Sequence, residues 1–589
     1  MLPINEDQVN DVIQSWRDTK EEDLKPEDYQ QFKNLGSACL TQGDSEQLLT
    51  FLRDEKNQMI VRSVGCVLLA PLVNEVIKKE RSHDNCQAAI THLTKTCSPN
   101  KLLHSWLEAL EDIDPCAISK TILALLPHLQ TVLFQLDERK AAWVGLALSA
   151  LQKQLSRLPV PYTQQQEEKD EHGLCRCCTA LALFTKPFVE EVKKKDDDCV
   201  GDEELRAELL KFCMRSLRDP LLEAQLSQDR QSALWLFAVE IMAILRAIRE
   251  SLSGLLFFSS LRRTTLMDNS VSKESRACLA YLLFVQLITM DSFPAVFSPV
   301  FILQCNMEHI NQLLSSKKES HLLKGLALFS KILEKVEDNT LPVGLLELRS
   351  FYSTLQNLRQ VLTDCPMQHL RKSGLQVFQL FINKLDAEAK HKFFRCMLKT
   401  CNHAGAESYI VKNIRSQIEF TTMQGNANKW FLGMELLPLL DLVLCLPQGA
   451  ETDLLTGMDK IMESLNLLRY MLLRDKELRS NADVWEELCR IKDEYLKMLR
   501  VCISMSRAYY FADLRALKED QKLKAKEARD AARSIRSVKR ITVKHEKVSN
   551  MSPEVQHQVL QSALVTFDLM ESLIIRIEEI AEQKQTTQS

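Results

Sequence analysis

This chain has little of the two residues that most often interrupt helices. Its 589 residues include 15 Gly and 17 Pro, both below average usage, while Leu, Glu, Lys and Ala dominate. That balance favours long helices over sheets, and no run of alternating apolar and polar residues reads as a strand. Long apolar runs are also missing. The longest, Cys278 to Met290 and Leu234 to Ile248, stop short of the roughly 18 residues that span a bilayer, and the second is interrupted by Glu240 and Arg246. No membrane span is expected. A formal charge of -4 leaves the chain without the overall basic excess of a nucleic-acid binder. There is no Gly-rich phosphate loop ending in Gly-Lys-Ser/Thr, no His-Glu-x-x-His and no Gly-x-Ser-x-Gly elbow, which removes the common NTPases, kinases and hydrolases. The 18 Cys are scattered through helical segments without the spacing of a disulfide framework, a usage that fits a reducing compartment. Neither a basic leader nor a cleavage-like site follows Met1. The expectation is a soluble, cytoplasmic, non-enzymatic protein with no cofactor and no catalytic residues.

What is present is repetition. Glycines followed by small or aliphatic residues open helical patterns at Gly65, Gly145, Gly325 and Gly374. Lys324 to Glu337 aligns without a gap on Ser373 to Asp386, placing apolar residues at matching helical positions 49 residues apart. That offset approaches the roughly 40 to 47 residues of HEAT and armadillo units. A mid-helix Gly costs about 1 kcal/mol against Ala, so its recurrence suggests close helix packing. The fold class predicted is all-α: a HEAT/armadillo-like helical-repeat solenoid in two blocks, a surface suited to gripping another protein.

Along the chain, Ala117 to Leu136 and Ala141 to Leu158 read as a helical hairpin stopped by Pro159-Val-Pro161. The apolar stripe weakens between Ser251 and Lys273, so the domain boundary is expected there, giving an N-terminal block 1–273 and a C-terminal block 274–589. Pro553, after Ser552, opens a final helix whose apolar face runs through Val559, Leu560, Ala563, Leu564, Phe567, Met570, Leu573, Ile574 and Ile577.

Three features invite a chemical reading. His172-Gly-Leu-Cys175-Arg-Cys177-Cys178 contains a Cys-x-x-Cys, but only the isolated Cys199 and Cys213 follow, whereas a structural zinc needs four ligands. Buried helix-packing thiols are the expected reading, with no metal. Arg515 to Lys547 holds twelve Lys/Arg against five Asp/Glu. Without interleaved aromatics for stacking, it reads as a solvated helix and loop rather than a nucleic-acid site. Trp430, in Asn428-Lys429-Trp430-Phe431, and Tyr470, after Arg469, are large aromatics near breaks in the pattern. Such residues are either core anchors or binding hot spots.

Several strings together resemble the glomulin family: Leu158-Pro-Val-Pro-Tyr162, His172 to Cys178, Phe184 to Glu191, Asn402-His403, Asn428 to Phe431, Leu440 to Leu444, Pro447 to Leu455, Ser464 to Tyr470 and Thr566 to Leu569. The similarity runs from about Tyr29 to Glu582. It implies two HEAT-like blocks, the C-terminal one gripping the RING-box subunit of cullin-RING ubiquitin ligases and blocking recruitment of the ubiquitin-conjugating enzyme. The resemblance also implies an alternative, a scaffold for immunophilins or the hepatocyte growth factor receptor without ligase inhibition. Carried onto this sequence, the contact residues expected are Asn428, Lys429, Trp430, Phe431, Arg469, Tyr470, Asp568 and Glu571. Trp430 and Tyr470 would be apolar anchors, and Lys429, Arg469, Asp568 and Glu571 would set charge complementarity.

Overall fold

In the computed structural model the described residues are 6–19, 23–78, 83–111, 113–136, 139–194, 200–226, 230–258, 269–423, 428–474, 482–531 and 553–586. Among them every regular element is helical, and the one strand-like pairing is an isolated bridge between Leu341 and Leu385. The all-α expectation holds. Cys199, Ser552 and the basic residues 532–547 lie outside the described residues.

The chain divides into two compact units, Met1–Lys335 and Val336–Ser589. In the first, helices stack in two layers by packing on the next helix but one or two along the chain. One layer holds Ile118–Phe134, Leu174–Lys194 and Ala233–Ala247; the other holds Lys140–Leu155, Val200–Arg218 and Asn269–Phe284. Side chains of one helix reach main-chain carbonyls of its layer neighbour. Gln130 Nε2 donates to the Phe184 carbonyl at 2.9 Å, Gln152 Nε2 to that of Phe212 at 2.8 Å and Ser275 Oγ to that of Met214 at 2.6 Å. This is the quasi-one-dimensional stacking of a helical repeat, each unit burying its apolar face on its neighbours.

The compact units divide at 335/336, whereas the division expected was at 273/274. Position 273/274 falls inside the Asn269–Phe284 helix, which packs on Val200–Arg218 of the same unit. A phenylalanine cluster also spans it: the Phe257 ring lies 6.5 Å from Phe284, 5.6 Å from Phe293, 5.4 Å from Phe297 and 5.7 Å from Phe301. Loss of the apolar stripe there marks a connection within the first unit.

The glycines separate into two kinds. A Cβ on Gly325 would meet Leu313 Cβ at 2.9 Å, on the preceding Pro299–Leu314 helix, and one on Gly374 would meet Leu362 Cδ2 at 3.2 Å, on the preceding Arg349–Thr363 helix. These two occupy equivalent places in helical pairs, as their alignment requires. Gly145 instead faces Glu208 of its layer neighbour, and Gly65 begins a 3-10 turn against Leu93; neither repeats that arrangement.

Three helical stretches, Glu55–Lys78, Pro115–Phe134 and His557–Gln583, are long and apolar enough by length and composition to cross a membrane. The search for uninterrupted runs missed them, because charges such as Arg62, Lys120 and Glu571 punctuate them. Each carries residues packed in the core, with Leu69, Leu129 and Phe567 wholly buried, though the third stretch also exposes Val565, Leu569 and Ile575.

Two outcomes follow from this packing. Gly325→Ala puts a methyl within 3 Å of a Cβ that lies close to its own backbone. It should lower the urea midpoint by the equivalent of about 1–3 kcal/mol, whereas Gly374→Ala, with flexible neighbours, should be near neutral. The second concerns His309, buried with its Nε2 3.2 Å from the Leu256 carbonyl and its pKa lowered to about 4, chiefly by burial, with Arg276 adding to the effect. The unfolded imidazole takes its proton near 6.5, so between about pH 6.5 and 4 the unfolded state binds more protons, and stability falls on acidification. The slope reaches at most about 1.4 kcal/mol per pH unit, and a His309→Gln variant should lose part of it in urea titrations at stepwise pH.

Candidate partner-binding surface

The residues from Asn428 to Phe431 form a single capped turn. Asn428 has extended backbone, and its Oδ1 accepts from the Trp430 N–H at 2.8 Å, starting the short Lys429–Leu432 helix. Phe431 points inward and is wholly buried, 6.0 Å from the His391 ring and 6.3 Å from Phe394. Trp430 is half-buried. Its ring lies 5.2 Å from that of His391, and the exposed Lys429 ammonium sits 4.9 Å from the Trp430 ring centroid. His391 is fixed in turn by the Glu435 carbonyl, 2.6 Å from its Nε2, and burial lowers its pKa. A neutral imidazole therefore backs the indole.

This sorts the four expected contacts. Phe431 sits in the core with no face reaching solvent, while Trp430 and Lys429 keep accessible surface. Asn428 acts through its cap.

Arg469 and Tyr470 lie near the end of the Met458–Leu473 helix, Arg469 exposed and Tyr470 half-buried. That helix packs on Ala404–Thr422, with Lys460 donating to Glu407 at 3.0 Å, and on the final helix, Pro553–Thr586. The final helix also pairs with the 50-residue helix Ala482–Ala531 as an antiparallel hairpin. Arg500 contacts Glu578 at 2.5 Å, and seven residues further on Arg507 contacts Glu571 at 2.8 Å. Ile503 and Ile574 are buried between these ion pairs, Leu514, Ala563, Phe567 and Met570 are buried beyond them, and Tyr510 rests 5.5 Å from Phe567.

Asp568 and Glu571 thus have a partner within the chain. Arg507 Nη2 donates to Asp568 at 2.7 Å and to Glu571 at 2.8 Å. They brace the hairpin through Arg507, and their side chains remain 67% exposed for Asp568 and 39% exposed for Glu571. The lengthwise charge pattern could have signalled this, since Arg500 and Arg507 repeat at the spacing of Glu571 and Glu578.

Sequence reading missed an apolar stripe on the outer face of the long helix. Met498, Val501, Met505 and Tyr509 are each more than two-fifths exposed and recur at helical spacing. Val565 and Leu569 of the final helix are also exposed. The signal was available, because Ala482–Ala531 carries more apolar residues than one buried face needs.

The cysteine cluster lies on the buried face of Leu174–Lys194. Burial pushes the Cys175 and Cys177 thiols up to about 12 and raises Cys178 as well. Cys177 Sγ lies 3.6 Å from the Ser119 carbonyl, a packing contact between layer neighbours. Such thiols stay protonated at neutral pH, the opposite of a nucleophile's thiolate.

The hairpin geometry separates two kinds of stabilisation. Arg507→Ala removes a solvent-screened fork and should cost no more than about 1 kcal/mol. Phe567→Ala empties a closed site and should cost about 3–5 kcal/mol. Urea unfolding of the two variants checks the contrast, and amide exchange in 553–586 should accelerate far more in the second.

A family profile described as "Uncharacterised protein family, YAP/Alf4/glomulin" matches residues 1–563. Human glomulin is 41% identical over 592 residues, covering 98% of this chain and 98% of its own. Mouse glomulin is 40% identical over 596 residues, covering 99% of this chain and 98% of its own. A solved circular tandem repeat protein with novel repeat topology covers 99% of this chain and 94% of its own at 12% identity, but a TM-score of 0.16 carries no argument. Similarity of this extent, across both units and through the Asn428 turn and the C-terminal hairpin, places the chain in the YAP/Alf4/glomulin family.

Proposed function

We propose that this chain is a non-enzymatic inhibitor of cullin-RING ubiquitin ligases. Its C-terminal helices hold the RING-box subunit and cover the surface on which a ubiquitin-conjugating enzyme docks. The observation that carries this reading is the similarity to glomulins along nearly the whole chain, from which the RING-masking role is inferred. The Met498–Tyr509 stripe is the kind of surface such a role needs. Exposed methionines adapt to a shallow apolar groove, and Tyr509 adds rigid contact area. Trp430 and Tyr470 are the further aromatic anchors we assign, with Arg469 and Lys429 supplying positive charge at the edge. Masking requires no chemistry from the inhibitor, in keeping with a chain that carries no common catalytic signature. We place the protein in the cytoplasm, where the free thiols of the described residues would stay reduced.

The test is ubiquitin-chain formation by a purified cullin-RING ligase with the full-length chain added to saturation. Chain formation should cease, and Met505→Glu or Trp430→Ala should restore it while weakening capture of the RING-box protein at least tenfold. Unchanged ligase activity at saturation would overturn the proposal, and a ternary complex with an active ligase would point to a scaffold for immunophilins or a growth-factor receptor.

A further inference from the structure

The Val336–Ser589 unit carries a second surface, apart from the residues assigned above to RING masking. The Arg349–Thr363, Gln368–Lys384, Ala387–Thr400 and Ala404–Thr422 helices enclose a cavity of about 670 Å³. Its charged lining is entirely of one sign: Arg359, Arg371 and Lys372, joined by His369 and His403, with no carboxylate among the lining residues. The floor is apolar, formed by Leu375, Phe378 and Met397. Leu375 is 38% exposed although it follows the packed Gly374.

The two arginines are held in place by main-chain oxygens. Arg359 Nη1 donates to the Thr400 carbonyl at 3.0 Å, and Arg371 Nη1 donates to those of Cys365 at 2.6 Å and Pro366 at 3.1 Å. Among the described residues neither they nor Lys372 forms an ion pair, although nearby cations do: Lys384 reaches Asp338 and Lys460 reaches Glu407. Each guanidinium therefore keeps free donors in a fixed orientation, the arrangement that receives a carboxylate in bidentate fashion. One carboxylate, Asp459, comes near the rim, its Oδ2 3.8 Å from where a Cβ on Gly405 would sit, and stays outside the lining.

A neighbouring cavity of about 290 Å³ shares Arg359 and Met397; Leu346, Leu355 and Phe393 line it together with one carboxylate, Glu347, and one further cation, Lys392. Side by side they form a groove that is cationic at the Arg371 end and mostly apolar, with these two opposite charges, at the other.

We propose that this groove binds an acidic peptide segment of a partner protein, with carboxylates on Arg359, Arg371 and Lys372 and a bulky apolar side chain on the Leu375, Phe378 and Met397 floor. Its volume lies within the range of ligand-binding clefts, which combine an apolar lining with a few placed polar groups. Nucleic acid fits less well, because base stacking needs free aromatic faces. Here Phe378 packs 5.7 Å from Phe393 and 6.2 Å from Tyr409, whose hydroxyl donates to Gln379 Oε1.

The experiment is fluorescence anisotropy of the full-length chain with a fluorescein-labelled peptide, Asp-Glu-Asp-Phe-Leu-Glu-Asp-Glu, its Asn/Gln amide counterpart, and poly-uridine as competitor. The acidic peptide should bind saturably and weaken as salt rises. Affinity should fall at least tenfold in Arg371→Glu and in Lys372→Glu, and the amide peptide should bind at least tenfold more weakly. Lys372 is exposed and forms no ion pair among the described residues, so its variant keeps the fold, which circular dichroism and undiminished ligase inhibition would verify. Equal binding of the amide peptide, unchanged affinity in both variants, or no binding at low salt would each overturn the proposal. Poly-uridine binding tighter than the peptide and lost in the same variants would overturn it in favour of nucleic acid.

Discussion

Each helix of this protein must bury its apolar face against a neighbour in its own layer as well as against its sequential partner. Among the described residues no sheet offers a continuous hydrogen-bonded backbone across elements, so cohesion is supplied by side-chain packing and by a few side-chain amides and hydroxyls that reach across to main-chain carbonyls. Gln130, Gln152 and Ser275 do this in the first unit; Ser464 does it in the second, its Oγ donating to the Val443 carbonyl at 3.1 Å. Donors of this kind fix the register of one helix on the next at positions where an apolar side chain could slide. Gly325 and Gly374 act by subtraction, admitting the preceding helix more closely than any side chain would allow.

The same constraint shapes the C-terminal surface. Phe431 and Phe567 close the interior, and the residues beside them in sequence face outward. Trp430 is consequently a half-buried aromatic stiffened by His391, and stiffness lowers the ordering cost of a contact on binding. On the hairpin, the carboxylates that would otherwise repel a negative partner are drawn onto Arg500 and Arg507. What remains on the outer face of the long helix is a stripe of methionine, valine and tyrosine, chemically suited to an apolar groove. The cationic groove among the 349–422 helices is different in kind, its arginines held by carbonyls and left without counter-charges. Two surfaces of unlike chemistry on one unit can serve two unlike partners.

Much of the architecture was legible in periodicity. The hairpin of Ile118–Phe134 and Lys140–Leu155 and most of the buried face of the final helix follow from apolar spacing alone, because a helix with one apolar side has one way to bury it. The equivalence of Gly325 and Gly374 was legible in a gapless alignment. The domain boundary was not: weak hydrophobicity between 251 and 273 looks the same in sequence whether it marks a connection within a unit or a division between units. The phenylalanine cluster that crosses this stretch joins residues 257 to 301, a relation that no local window contains.

Composition and spacing by themselves determined that the chain is all-helical and built of repeated pairs, because helix propensity and periodicity act over neighbouring residues. The candidate surface in the last third of the chain came from the resemblance to the glomulins and not from composition or spacing. Only the tertiary structure decided which member of each candidate pair faces out. Trp430 and Phe431 are adjacent and similar, yet one is half-exposed and the other wholly buried. Asp568 and Glu571 look like free surface charges until the antiparallel register brings Arg507 to both. Exposure and charge pairing are set by elements dozens of residues away, and that long-range information is what packing adds.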